Sequence, residues 1–197
     1  MTLIVRRNAL PRLLANAAES SFPEANWEHW FKYQTKDSVK LASVDACRIP
    51  YSCTLALHEL AFNTFADILS GDVFPDLSFY GGGLHSIPPE GFLNRHLDSQ
   101  IHPTKPWLRR YSVVWYGNRS WTAEQGGVFS IETKEGLRSI SPQFNTAVCF
   151  ECTDTSWHSV SKVIGADRRN TLAVFFWEKE RTERDSTMRT SALFSST

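Results

Sequence analysis

At 197 residues the chain fits one domain, long enough to bury a core without disulfides or a structural metal. Basic and acidic side chains balance at 21 each, so no net field steers the protein onto nucleic acid or an anionic membrane, and neither is an expected partner. No stretch approaches the roughly 20 apolar residues of a membrane span, and the apolar run in Met1–Arg7 is far shorter than a secretory leader needs; a soluble, cytoplasmic protein is expected.

Residues 1–76 read as helical support. Pro23 suits a first helical turn, and Trp27, Trp30 and Phe31 follow at the i, i+3, i+4 spacing of an apolar stripe. Ser52 is placed to cap a second helix carrying Leu55, Phe62, Phe65, Ile68 and Leu69, which Gly71 stops. Cys47, Cys53, Cys149 and Cys152 read as reduced thiols. Cys149 and Cys152 have C-x-x-C spacing, but a strand sends their sulfurs to opposite faces.

From Leu77 the pattern changes to short runs of aromatic and β-branched residues between turn formers. Strands are expected at 77–80, 84–87, 92–98, 108–117, 127–132, 136–141, 146–152, 157–164 and 169–178. Helices first and strands afterwards argue against a parallel α/β sheet. The expected fold is mostly β with N-terminal helices: a double-stranded β-helix (jelly roll) spanning 77–178, with a helical layer packed on one sheet. Residues 179–197, charged and then rich in Ser and Thr, read as a mobile tail or short exposed helix, with a lid or an oligomer contact as the functional alternative.

His96-Leu97-Asp98 carries the chemistry. In a strand, i and i+2 share a face, so His96 and Asp98 offer an imidazole and a carboxylate to one ion, and His158 supplies a third ligand from a distant strand. Two histidines and one carboxylate with an open opposite face suit non-haem Fe(II). Three ligands plus water also suit zinc, and an H-x-D tripeptide is weak alone. Arg169, on a face with Thr171 inside an apolar strand, adds a constraint, because a buried guanidinium needs an anion: a carboxylate cosubstrate or an internal acid. Arg168 points the other way, to solvent. His102 and Arg109-Arg110 follow the metal motif, where a loop closing over substrate competes with a plain solvated loop.

Several stretches together resemble the prolyl-4-hydroxylase-like branch of the Fe(II)/2-oxoglutarate dioxygenases: Gly91-Phe92-Leu93-Asn94-Arg95-His96-Leu97-Asp98; Arg109-Arg110-Tyr111-Ser112-Val113-Val114-Trp115-Tyr116-Gly117-Asn118 with Trp121; Gly126-Gly127; Ser141-Pro142; and Thr155-Ser156-Trp157-His158-Ser159-Val160 leading to Arg169-Asn170-Thr171. Their order and spacing agree over about half the chain. The resemblance implies that His96, Asp98 and His158 bind Fe(II). It further implies that Arg169, with Thr171 and Tyr116, grips the distal carboxylate of 2-oxoglutarate, with O2 as the third reactant. His85 falls near a site-lining tyrosine of relatives. Asn118, Trp121 and the double glycine look structural. Asp98 favours hydroxylation, since halogenating relatives lack that carboxylate.

The implied activity is hydroxylation of an unactivated C–H in a small metabolite or an amino-acid side chain, free or peptide-borne, with release of succinate and CO2. The alternatives are a zinc enzyme or a non-catalytic binding domain on the same fold. Specificity is expected from loops 99–107 and 118–126 and the N-terminal helices.

Overall fold

The computed structural model describes residues 1–43, 45–69, 72–179 and 188–195. In chain order the elements are β1 (Leu3–Arg7), α1 (Arg12–Ser20), β2 (Trp30–Gln34), β3 (Val39–Ser43), α2 (Tyr51–Glu59), β4 (Val73–Pro75), β5 (Gly83–Ile87), β6 (Leu93–Leu97), β7 (Trp107–Tyr116), β8 (Phe129–Thr133), β9 (Gly136–Ile140), β10 (Thr146–Glu151), β11 (His158–Val160), β12 (Arg169–Lys179) and β13 (Leu193–Phe194). One sheet runs β1-β10-β7-β12-β5-β3-β2, with β4 beside the far end of β12, and the other runs β13-β6-β11-β8-β9. The strand pairs within both sheets are antiparallel. The two sheets form a jelly roll.

Cross-strand register sorts the larger sheet into two faces. Ala147, Trp115, Leu172 and Leu84 stand opposite one another on successive strands, as do Thr146, Tyr116, Thr171 and His85. Directly paired residues project to the same side, so the first row faces the helices and the second faces the smaller sheet. Trp115, Leu84, Leu172, Val174 and Phe176 pack under α2 and the turn that continues it, whose Cys53, Ala56, Leu57, Leu60 and Ala61 are buried at helical spacing. Ala15 and Ala18 let α1 approach α2 closely. The space between the sheets is filled at one end by Ile87, Tyr116, Phe129, Ile131, Val148 and Phe150, and its other end stays open as the site.

Asn145 ties the N-terminal segment to this frame. It holds φ +55°, its side-chain oxygen accepts from the Leu10 N–H (2.9 Å) and Trp115 Nε1 (3.0 Å), and its amide donates to the Leu10 carbonyl (2.9 Å). Three buried polar groups are satisfied by one side chain.

Several expectations need correction. Residues 1–76 are not purely helical, since β1, β2, β3 and β4 lie among the two helices and extend the larger sheet. The stripe after Pro23 is no helix: Trp30 is buried and Phe31 is 49% exposed, because Trp30–Gln34 forms a hairpin with β3. A short i, i+3, i+4 pattern also satisfies part of a period of two. Residues 77–80 form a turn instead of a strand, with the Asp76 carboxylate accepting from the N–H groups of Ser78 (2.9 Å) and Tyr80 (3.2 Å). Pro50, not Ser52, precedes the first residue of α2, and the chain continues through a wide turn at Leu60–Thr64 and a 3-10 turn at Ala66–Ile68; Gly71 lies outside the described residues. Among the described residues no helix is long and apolar enough to cross a membrane.

Of the expected tail 179–197, residues 180–187 and 196–197 lie outside the described residues, and 188–195 depart from a mobile tail. Residues 188–195 return to the smaller sheet, where Leu193 and Phe194 pair with Leu97 and His96 of β6. Arg189 anchors this strap: its guanidinium reaches Asp154 (2.6 Å) and the Asp98 carbonyl (3.3 Å), and its own carbonyl accepts from the N–H groups of Gln100 (2.8 Å) and Ile101 (3.1 Å). Arg189→Ala should speed backbone amide exchange at Ile101 and Ser195 by about tenfold, the worth of one charge-assisted hydrogen bond. Unchanged protection there would show that the strap is held by something else.

Candidate active site

The pairing of β6 with β11 builds the centre. His158 stands directly opposite His96, and the two rings lie 4.2 Å apart between centroids. Asp98, two residues beyond His96, returns to the same face as β6 ends. Asp98 Oδ1 lies 3.8 Å from Nε2 of each histidine, and one ligand atom from each of the three residues falls within 4.8 Å of the others. Both histidines are buried.

Each imidazole has its second nitrogen engaged. Nδ1 of His96 lies 2.8 Å from the Asn94 carbonyl, and Nδ1 of His158 lies 2.8 Å from the Ser156 carbonyl. A carbonyl only accepts, so the proton sits on Nδ1 and the Nε2 lone pair faces the centre, the tautomer a metal ligand requires. Burial, then the neighbouring His158, lowers the His96 pKa to about 4, which keeps that ring neutral.

The carboxylate is oriented as well. Asp98 Oδ2 accepts from Ser112 Oγ (3.0 Å) and from Arg109 (3.2 Å), leaving Oδ1 free. Burial opposes ionisation of Asp98. Arg109, the two histidines and the Ser112 hydroxyl outweigh it, holding the carboxyl well below its usual range. Arg109 reaches this place through an irregularity: Tyr111 pairs with Phe176 but Arg109 pairs with Trp177, so Arg110 is an extra residue and alternation breaks. The Arg109 guanidinium lies over the Phe175 ring at 3.8 Å and donates to Ser99 at 3.1 Å. Arg110 points out to Glu178 at 3.1 Å.

Arg169 forms the other pole. It is 4% exposed, donates from Nε to the Gly127 carbonyl at 2.8 Å, and lies over the Tyr116 ring at 5.0 Å. No carboxylate among the described residues pairs with it, and burial lowers its pKa. The buried Tyr116 hydroxyl has no partner among the described residues other than the Arg169 guanidinium beside it. Thr171 is 2% exposed beside them. Arg168 takes the opposite face but not bulk solvent, since it donates to the Pro23 carbonyl (3.0 Å) and meets Glu24 (3.3 Å).

His85 also lines the cavity. Its Nε2 donates to the Gly81 carbonyl at 3.0 Å, and burial followed by the nearby Lys40 lowers its pKa to about 3. The neutral ring therefore turns a lone pair, not a donor, to any carboxylate. His102 belongs elsewhere: it is 2% exposed in a nest of Tyr80, Trp107 and Trp177, with Asp76 at 3.4 Å. Neither the covering-loop nor the solvated-loop expectation describes it.

Triad and guanidinium share one cavity of about 460 Å3, the scale of small-molecule sites. Of the loops expected at its rim, 99–107 contributes Ser99. Tyr33, Thr35, Ser38 and Lys40 of the β2–β3 hairpin and Thr190–Ala192 and Phe194 of the strap contribute, whereas residues 118–126 and the N-terminal helices do not. Phe194 stacks on His96 at 5.2 Å. The lone Phe in a Ser/Thr-rich end was the available signal for the strap; Lys40 gave none, because its strand was not expected.

A jelly roll that turns two imidazoles and a carboxylate into a cavity with an unpaired guanidinium opposite is the architecture of a non-haem iron oxygenase with an anionic cosubstrate. The donor set fits Fe(II), and the uncompensated Arg169 fits a dicarboxylate. Residues 82–177 match the family model of the 2OG-Fe(II) oxygenase superfamily, whose enzymes use Fe(II), 2-oxoglutarate and O2. No curated protein matches the chain by sequence.

Among solved structures, the chain is similar to a prolyl-4-hydroxylase from Pseudomonas putida (19% identity, 91% of this chain and 93% of that one, TM-score 0.66). It is also similar to a prolyl hydroxylase from Trichoplax adhaerens in complex with a hypoxia inducible factor oxygen degradation domain peptide fragment (14% identity, 95% and 87%, TM-score 0.66). A third is HygX from Streptomyces hygroscopicus with nickel, 2-oxoglutarate and hygromycin B bound (9% identity, 98% and 92%, TM-score 0.58). The fold is that of prolyl-4-hydroxylase-like members, and the protein is a 2-oxoglutarate-dependent oxygenase.

Proposed function

We propose that the protein hydroxylates an unactivated C–H bond of a small metabolite or an amino-acid side chain, free or peptide-borne, releasing succinate and CO2. His96, Asp98 and His158 hold the iron. Arg169 grips the distal carboxylate of 2-oxoglutarate through its guanidinium fork, with the Thr171 and Tyr116 hydroxyls as further donors. His85 serves as a wall of the cavity, its neutral ring giving no charge to an anion. Iron, with 2-oxoglutarate and O2, supplies the oxidising power for the C–H bond.

The observation that carries this reading is Arg169, a buried cation without a carboxylate partner among the described residues, on the cavity that holds the triad. A zinc site or a binding scaffold has no use for it. Around these groups the chain's work is placement: the Asn94 and Ser156 carbonyls hold the histidine tautomers, and Arg109 with Ser112 holds the carboxylate rotamer. The apolar walls, among them Phe129, Phe150 and Val160, exclude water from the reacting carbon.

Gly127 makes a check on the Arg169 assignment possible. It holds φ +62°, and a Cβ there would sit 2.9 Å from Arg169 Cδ. Gly127→Ala should push the guanidinium aside, weakening 2-oxoglutarate binding by about tenfold while the strained backbone costs about 1–2 kcal/mol of stability. Unaltered cosubstrate affinity by calorimetry would detach Arg169 from this role. The activity itself is tested by screening free amino acids, peptides and small metabolites for substrate-dependent succinate formation with Fe(II), 2-oxoglutarate and O2. The expected hit yields succinate together with a product heavier by one oxygen atom. Succinate formation that depends on no compound in any class would contradict the proposal.

A further inference from the structure

Lys40 is the cavity cation that the oxygenase chemistry leaves unused. It extends from β3 into the space holding the triad. The register of β3 on β5 sets Leu41 opposite Ser86, which puts Lys40 level with Ile87, itself opposite Arg169 on β12. Lys40 and Arg169 therefore share the inner face of the sheet, two strand spacings or roughly 10 Å apart at the backbone. No carboxylate among the described residues forms an ion pair with Lys40. Asp98, the acid whose field reaches it, is already engaged by Arg109 and by the Ser112 hydroxyl. The Tyr33 ring lies 5.1 Å from the Lys40 Nζ.

Charge balance then points to a ligand. On the oxygenase reading, on which this inference rests, the two carboxylates of 2-oxoglutarate meet iron and Arg169, and Asp98 is shared between iron and Arg109. Lys40 remains without a counter-ion. Burial lowers its pKa, which the field of Asp98 only partly offsets and Arg109 reinforces, so the folded protein gains by bringing an anion to it. Its surroundings also differ from those of Arg169. Arg169 lies deep beside the Thr171 and Tyr116 hydroxyls, whereas Lys40 lies in the rim hairpin with the exposed Tyr33 and Thr35.

We infer that Lys40 binds a carboxylate of the substrate, so that the molecule oxidised is an acid: a free carboxylic or amino acid, or a peptide presenting an acidic group. One end of the substrate is held at the rim while its body lies along the apolar wall toward the triad. A point-charge ammonium suits such a contact, since it grips an oxyanion without demanding the planar register of a guanidinium. Lys40 acts as a binding residue that sets specificity.

The test titrates the anaerobic Fe(II)·2-oxoglutarate holoenzyme with straight-chain acids from acetate to hexanoate, with amino acids, and with short peptides carrying one acidic residue. Each acid is matched with its primary amide, and binding is read by calorimetry. Acids should bind at least about tenfold more tightly than their amides. Lys40→Met should erase that difference while 2-oxoglutarate affinity stays within about twofold, and Lys40→Arg should keep most of it. Preference for the free acids or for the peptides identifies which source the site takes. Equal binding of acids and amides, or no binding by any acid, overturns the inference and leaves the oxygenase reading standing. Loss of 2-oxoglutarate affinity in Lys40→Met also overturns it, because Lys40 would then be a cosubstrate residue. A wild-type protein that takes up neither iron nor 2-oxoglutarate fails at the earlier step.

Discussion

Asp98→Ala should abolish succinate formation while leaving a folded protein. Its Oδ1 lies 3.8 Å from Nε2 of both His96 and His158, and no other acidic side chain among the described residues joins that cluster. Loss of an outer-shell partner costs roughly 10–100-fold in metal affinity or activity, and loss of the one anionic ligand should cost more. The substitution also strips the partner from Arg109, which is 9% exposed, so stability should fall by about 1–3 kcal/mol. Asp98→Asn separates the two effects. It keeps an oxygen for Ser112 and much of the packing but removes the charge, so it should lose iron while melting closer to the parent. Full turnover in either variant would remove Asp98 from the ligand set.

Arg169→Met should act on a different quantity. Iron affinity should be unchanged, while 2-oxoglutarate affinity should fall by about 10–100-fold, the worth of charge-assisted hydrogen bonds to one carboxylate. Folding stability should change little. The substitution removes a cation whose burial is opposed but leaves the Gly127 carbonyl without its 2.8 Å partner, and the two effects offset. Calorimetric titration of 2-oxoglutarate, run beside a thermal melt, checks both parts. Normal cosubstrate affinity in a stable variant would move the anchor to another cation, Lys40 first.

The strands between Gly83 and Lys179 were legible because their alternation is regular and their turns carry Gly, Pro or Asn. The triad was legible for the same reason: i and i+2 share a face, and a second histidine opens a later run. Arg169 was legible as a charge in an apolar strand. The β2–β3 hairpin was not, because its register is set by pairing Leu41 and Ala42 with β5, a partner more than 40 residues away. Lys40 vanished with it. Arg109 was hidden by one extra residue in β7, which no alternation rule foresees. The strap was hidden because its docking depends on backbone pairing with β6 and on Arg189, not on an apolar run. What sequence patterns recorded was local periodicity; what they left out was long-range register, and the rim of the site is built from that.

The most direct test of the central claim is an anaerobic titration of the iron-loaded protein with 2-oxoglutarate. If His96, Asp98 and His158 hold iron and Arg169 receives the cosubstrate, a weak visible charge-transfer band should grow to saturation at one 2-oxoglutarate per chain. No band from folded protein shown to hold one Fe(II) would contradict the account.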